Sequence, residues 1–202
     1  GIRSNLPGLE FRRVLFRSYL NLFIPVLEET GVLWEKGIID VAKEHYISEE
    51  IRRLLGLFSG LMEKKIIRNK TVISACAPGE LPCLGLRMFS DLLEAEGWTV
   101  LLLGTDVPAK DLIELCRTHK ADLVALSATL PNHIESLKST IEALRRDPSL
   151  AGIKIILGGA AFNRNRKLYK TLGADGYSAD IVSGCRVAED LVKDKGKINS
   201  KE

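Results

Sequence analysis

The chain has 202 residues, 46% of them hydrophobic, and its 29 basic and 26 acidic side chains leave a formal net charge of +3. That apolar content argues against disorder and allows one sizeable core or two small ones. The interspersed charge argues against a nucleic-acid groove built by this chain alone, leaving small ligands or protein partners as the expectation.

In chain order, residues 1–18 mix Gly, Pro, Arg and Phe without helical spacing or a signal-peptide cleavage site, and read as a disordered or non-native start. Residues 19–67 are helical in pattern. Leu22, Val26, Leu33, Ile38, Val41, Ala42, His45, Ile51, Leu54, Leu55, Phe58 and Leu61 recur at threes and fours, with Gly37 separating two helices and Asp40 capping the second. This predicts a small helical bundle. No apolar run reaches the roughly 18 residues of a membrane span, so no membrane partner is expected.

From residue 71 to 195 short β-rich runs alternate with amphipathic helices. Strands are predicted at Thr71 to Cys76, Thr99 to Leu103, Leu123 to Ser127, Lys154 to Leu157 and Gly176 to Tyr177, with helices starting near Pro82, Pro108, Ile134, Arg164 and Ile181. Nearly continuous apolar strands alternating with helices imply an α/β fold, a doubly wound, five-stranded parallel sheet behind a helical-bundle cap, and among the variants of that fold the flavodoxin-like (Rossmann-like) order is the one chosen. Residues 196–202 read as a tail. Cys76, Cys83, Cys116 and Cys185 form no C-x-x-C pair and no zinc spacing, as in a reducing cytoplasm, which is the expected location.

Open parallel sheets bind ligands beyond the carboxyl ends of their strands, at the switch point between the first and third strands. The loops there are "APGELPCLG", "SATLPN", "GGAAFN" and "YSADIVSG". Gly79, Gly85, Gly158 and Gly159 would let backbone approach a large ligand, while Ser127 and Thr129 place hydroxyls on the same rim. Taken singly, each glycine is more simply a turn. The dinucleotide G-x-G-x-x-G, the P-loop G-K-[ST] and the nucleophile elbow G-x-S-x-G are all absent, and Ser127 stands where a receiver domain would carry an aspartate. Hydrolysis is therefore not expected. His119 and His133 are read as solvated helix residues without a partner at ligand spacing, and no metal site is expected from spacing. In the helical part Trp34 precedes Glu44 and His45 by nine residues: an indole wall beside an acid and an imidazole, if the two helices bring them together toward the sheet's open edge. By spacing alone, core and cap roles are equally good accounts.

The stretch "IPVLEETGVLWEKGIIDVAKEH" closely resembles the helical cap of cobalamin-dependent photoreceptor regulators of the CarH type, whose W-x9-E-H motif is matched by Trp34, Glu44 and His45. "GWTVLLLGTDVPAKDLIELCRTHKADLVALSATL" and "IILGGAAF" are similar to the second to fourth strands of the cobalamin-binding domain of those regulators and of methionine synthase. The resemblance covers about Leu20 to Lys193. It implies a tetrapyrrole held between cap and sheet edge, a sensory, non-enzymatic and most simply light-sensing role, and self-association as a homo-oligomer. It also implies a DNA-binding segment ahead of the cap, of which none is read in this sequence. The family's loop reads D-x-H-x-x-G or E-x-H-x-x-G, its histidine ligating cobalt, whereas this chain has Glu80, Leu81, Pro82, Cys83, Leu84, Gly85. The histidine that follows the cap tryptophan in the photoreceptors is Glu35 here.

Three readings stay open. The first is cobalamin held without an axial histidine. The second is a linear bilin such as biliverdin, linked through Cys83 or, in reserve, Cys76. The third is a ligand-free partner domain. A corrinoid carrier for a methyltransferase or mutase is the enzyme-class alternative. For the bilin, Cys83 behind Pro82 at a helix start is expected to be a stabilised, reactive thiolate, with Glu44 and His45 facing the pyrroles.

Overall fold

The computed structural model describes residues 14, 16–60, 68–80 and 83–193. Pro82, an expected site residue, and the tail at 196–202 lie outside the described residues, as does most of the segment 1–18, of which 14 and 16–18 are helical. The chain divides into two compact units, Gly1–Ile66 and Ile67–Glu202.

In the first unit a π-helical turn, Tyr19–Phe23, runs into α1 (Ile24–Glu35), and α2 follows at Val41–Gly60. Gly37 separates the two helices with φ +68°, a left-handed conformation that glycine adopts at little cost. Asp40 accepts a hydrogen bond from the Lys43 amide at 2.8 Å, satisfying one of the free donors at the start of α2. Phe23 meets Phe58 edge to face at 5.5 Å, and Ile51 and Leu55 are buried. The full apolar stripe expected from the spacing is not buried: Leu22, Val26, Ile38 and Val41 are exposed. Spacing marks a helical face, but what covers that face is a property of packing.

The second unit is a five-stranded, all-parallel sheet of β1 (Thr71–Cys76), β2 (Thr99–Gly104), β3 (Leu123–Ser127), β4 (Lys154–Gly158) and β5 (Gly176–Tyr177), in the order β2-β1-β3-β4-β5. Its helices are α3 (Leu84–Ala95), α4 (Ala109–Thr118), α5 (Ile134–Arg146), α6 (Leu168–Thr171) and α7 (Ile181–Leu191). This is the flavodoxin-like order expected. The helix placed at Arg164 is the one displaced element: the chain makes a 3₁₀ turn at Ala160–Phe162 and starts the short α6 only at Leu168.

Strand periodicity divides the sheet into two faces. Ile73, Ala75, Val124, Leu126, Ile155 and Leu157 join Leu112 and Cys116 of α4 and Leu137, Ile141 and Leu144 of α5 in one buried core. The alternate residues point toward α3, where Ser74 receives a hydrogen bond from Ser90 at 3.0 Å, and α3 packs on α7. At the amino end of the sheet Glu189 of α7 accepts from the Trp98 indole at 2.6 Å and from Arg68 and Lys70 at 2.9 Å, tying the last helix to the strand starts.

Candidate functional site

Strand β1 feeds β2 on one side and neighbours β3 on the other, so the crevice between their carboxyl ends is the switch point. Cys76 and Ser127, the last residues of the two strands, are register partners on the α3 face of the sheet. The chain leaves β1 through Ala77, Pro78 and Gly79. Gly79 has φ +81°, and its amide donates to Asp106 Oδ1 at 2.8 Å, which turns the loop back across the strand ends. Glu80 follows, its side chain only 1% exposed.

A buried carboxylate needs donors on both oxygens, and Glu80 has them. Oε2 accepts from the Thr129 amide at 2.9 Å and Oε1 from the Leu130 amide at 3.1 Å, both in the loop after β3. The Cys83 thiol donates to Oε2 at 3.7 Å, and His133, from the 3₁₀ turn Pro131–His133 that leads into α5, bonds Oε1 through Nδ1. Burial pushes the Glu80 carboxyl up, but the bonds from His133, from the Thr129 side chain and from the Thr129 and Leu130 amides outweigh it and hold the group below the usual carboxylate range. Ser136 bridges the same two loops, donating to the Pro78 and His133 carbonyls at 3.3 and 2.9 Å.

His133 was expected to be solvated and without a partner. The structure corrects this: its side chain is 16% exposed, Nδ1 faces Glu80, and no described residue hydrogen-bonds Nε2. Its partner lies 53 residues away in sequence, so spacing within the histidine's own helix carries no trace of it. The signal available was the unmatched Glu80, an acid in an apolar loop that requires a donor. His119, by contrast, is exposed at the end of α4.

Cys83 is also corrected. It is the N-cap of α3, which begins at Leu84, and its thiol is pushed up from the ordinary value by its hydrogen bond to Cys76, by burial and by the Glu80 carboxylate. Those effects outweigh the helix start, so Cys83 stands as a thiol rather than the expected thiolate. Of the two cysteines Cys76 ionises first, because its hydrogen bonding with Cys83 outweighs the opposing effect of burial.

The remaining expected residues fall into two groups. Ser127 is buried and hydrogen-bonds Cys83, and Thr129 is committed to Glu80, so both belong to the cluster. Gly159 has φ +102°, and a Cβ there would lie 2.2 Å from the Ala128 carbonyl oxygen: the strand-end backbone itself demands glycine at this position. Gly158 and Gly85 carry no such demand; a Cβ at Gly158 would meet only Ser178 O at 3.8 Å, and one at Gly85 would meet nothing within 4 Å. In the helical unit Trp34 is 46% exposed near the end of α1, while Glu44 and His45 lie in the first turns of α2, with His45 Nε2 3.6 Å from Glu44 Oε2 and Ser48 donating to Glu44 at 2.7 Å. Among the described residues no cluster of three or more His, Cys, Asp or Glu forms a metal cage, and no helix is long and apolar enough to cross a membrane.

Two family profiles, each described as a B12 binding domain, match the chain at residues 70–186 and 10–58. The chain is 29% identical over 165 residues to the HTH-type transcriptional repressor CarH of Myxococcus xanthus, covering 81% of this chain and 54% of the repressor. It is 32% identical over 179 residues to the repressor CarA of the same organism, covering 84% and 59%. Thus it spans between half and three-fifths of the length of these relatives. Among solved structures, the Methanosarcina barkeri monomethylamine corrinoid protein superposes with a TM-score of 0.72 at 21% identity over 82% of this chain and 78% of that one, a likeness of fold. The longer match, 70–186, runs from the start of β1 into α7 and so takes in every loop that builds the Glu80 cluster; on that extent of agreement the chain belongs to the B12-binding-domain family.

Proposed function

We propose that this chain is a non-enzymatic sensory module that binds cobalamin, of the light-responsive regulator type. One observation carries the reading: the family match coincides with the elements whose carboxyl-end loops converge on a buried carboxylate and a half-open imidazole at the switch point. The donor chemistry suits a corrinoid. An imidazole with Nδ1 held by a buried carboxylate and Nε2 without a described partner is a nitrogen donor of the kind that transition metals take. Ser127 and the Cys76–Cys83 pair line the strand ends beside it. Bound cobalamin would supply a cobalt–carbon bond that light can break.

The regulatory rather than carrier role rests on identity to two transcriptional repressors. A bilin anchored on Cys83 is less favoured, because that thiol is hydrogen-bonded and held protonated.

The test is reconstitution with adenosylcobalamin in the dark followed by gel filtration before and after illumination. About one corrinoid per chain should co-elute, and light should shift the elution volume. No co-elution overturns cobalamin binding. Co-elution with the same volume in dark and light removes the light-sensing role and favours a corrinoid carrier.

A further inference from the structure

We propose that His133 supplies a protein nitrogen ligand to the cobalt of bound cobalamin, in place of the loop histidine that Pro82 lacks. This rests on the cobalamin reading above. It starts from a pair that packing alone does not require. Glu80 already has an amide donor on each oxygen, from Thr129 and Leu130, so its burial is met without an imidazole. Yet His133 is brought from the opposite loop onto Oε1. A carboxylate on Nδ1 fixes the tautomer: the proton sits on Nδ1 and the lone pair on Nε2. It also fixes the ring plane.

The surroundings keep that nitrogen available. No described residue hydrogen-bonds Nε2, and the side chain is neither sealed nor free at 16% exposure. Gly79 lies beside Nε2, where a Cβ would stand 3.6 Å away, so at this position the loop brings no side chain against the nitrogen. The backbone that carries the ring is held as well, because the Ser136 hydroxyl lies within hydrogen-bond distance of the His133 and Pro78 carbonyls. A donor nitrogen thus stands at the carboxyl ends of β1 and β3, oriented by a buried acid, at the place where ligands of this fold bind.

The experiment is electron paramagnetic resonance of cob(II)alamin bound to protein whose histidine ring nitrogens are labelled with ¹⁵N. A histidine nitrogen on cobalt splits each cobalt line into two, whereas the unlabelled dimethylbenzimidazole of cobalamin itself splits it into three. Two-line splitting that is lost in His133→Asn and kept in His119→Gln is the expected result. Asparagine is the variant of choice because its Nδ2–H can donate to Glu80 where Nδ1–H did, while nothing replaces Nε2. Three-line splitting, no nitrogen splitting, or two-line splitting that survives His133→Asn each overturn the assignment and leave cobalamin binding standing. A protein that retains no cobalamin overturns both. Should His133→Asn fail to fold, three lines or none in the labelled wild type still overturn the assignment, and two lines lost on photo-oxidation of His133, mapped by mass spectrometry, support it.

Discussion

Replacing Glu80 by Gln removes one charge without changing the shape of the side chain. Each oxygen of the carboxylate accepts one backbone amide, Thr129 on Oε2 and Leu130 on Oε1. The amide NH₂ of glutamine must face one of them. Side-chain partners can adapt, since His133 can change tautomer and the Cys83 thiol and Thr129 hydroxyl can rotate, but a backbone N–H cannot turn into an acceptor. One amide is orphaned, worth about 1–2 kcal/mol at a partly covered rim, and the bonds that remain fall from charge-assisted to neutral strength, worth about 1 more. Glu80→Gln should therefore lose about 2–3 kcal/mol at pH 7. The sign of the pH dependence follows from the direction of the shift. The folded carboxyl lies below the usual range, so its stabilisation is complete above about pH 5 and is lost as pH falls through the folded value. The gap between wild type and variant should narrow on acidification. Urea unfolding followed by Trp98 fluorescence in a Trp34→Phe background reports on the sheet unit, since the chain has one tryptophan in each unit. A loss under about 1 kcal/mol, or a gap that stays constant from neutral to acid pH, would refute the clamp.

Gly159→Ala should destabilise by more than about 3 kcal/mol, combining a strained φ with a methyl driven into the Ala128 carbonyl, whereas Gly85→Ala, exposed in α3 with open space around it, should stabilise the ligand-free chain by up to about 1 kcal/mol in the same urea assay. Equal effects at the two positions would contradict the contrast. Native protein at pH 7.5 should react with far less than one equivalent of a thiol reagent while free cysteine reacts fully, because Cys116 and Cys185 are pushed up to about 12 by burial, Cys83 is also raised, and Cys76, although lowered by its bond with Cys83, is buried away from the reagent; one fast thiol would show that burial does not shield the strand-end cysteines. Glu189→Ala should lower thermal stability by about 1–2 kcal/mol by releasing the Trp98 indole, Lys70 and Arg68 together, and no change in Tm would mean that these bonds contribute nothing net.

The strands were legible because each is a short apolar run bounded by turn residues, a local signal summed over many residues, and parallel pairing follows from their alternation with helices; the flavodoxin-like order is one choice among the doubly wound variants that this alternation allows. Glu80, Cys83, Ser127 and Thr129 were legible as a group because the fold fixes where strand ends meet. His133 was not, for its meaning lies in a residue 53 positions earlier, and its own neighbours offer only a helix start. Gly159 was marked for a ligand's approach, yet the obstacle to any larger residue there is the chain's own Ala128. The state of the Cys83 thiol failed for a related reason. A helix start favours thiolate, but a carboxylate and a second thiol packed against the sulfur favour the proton, and neither neighbour's position is visible until the loops are folded.

Glu80 joins the loops after β1 and β3, so its presence is accounted for by architecture alone and says little about a ligand. The imidazole is where structure and ligand part company. A purely structural His133 needs only the Nδ1–H that reaches Glu80, and asparagine supplies that donor; His133→Asn should then lose no more than about 1 kcal/mol in the urea assay, less than Glu80→Gln. If asparagine instead destabilises the ligand-free protein as much as the Glu80 substitution does, the ring is required for packing, and its free nitrogen needs no ligand to explain it. A small loss in the apo protein, beside a complete loss of the histidine-derived splitting in the corrinoid complex, separates the two roles on one residue: Nδ1 serves the fold and Nε2 serves the cobalt.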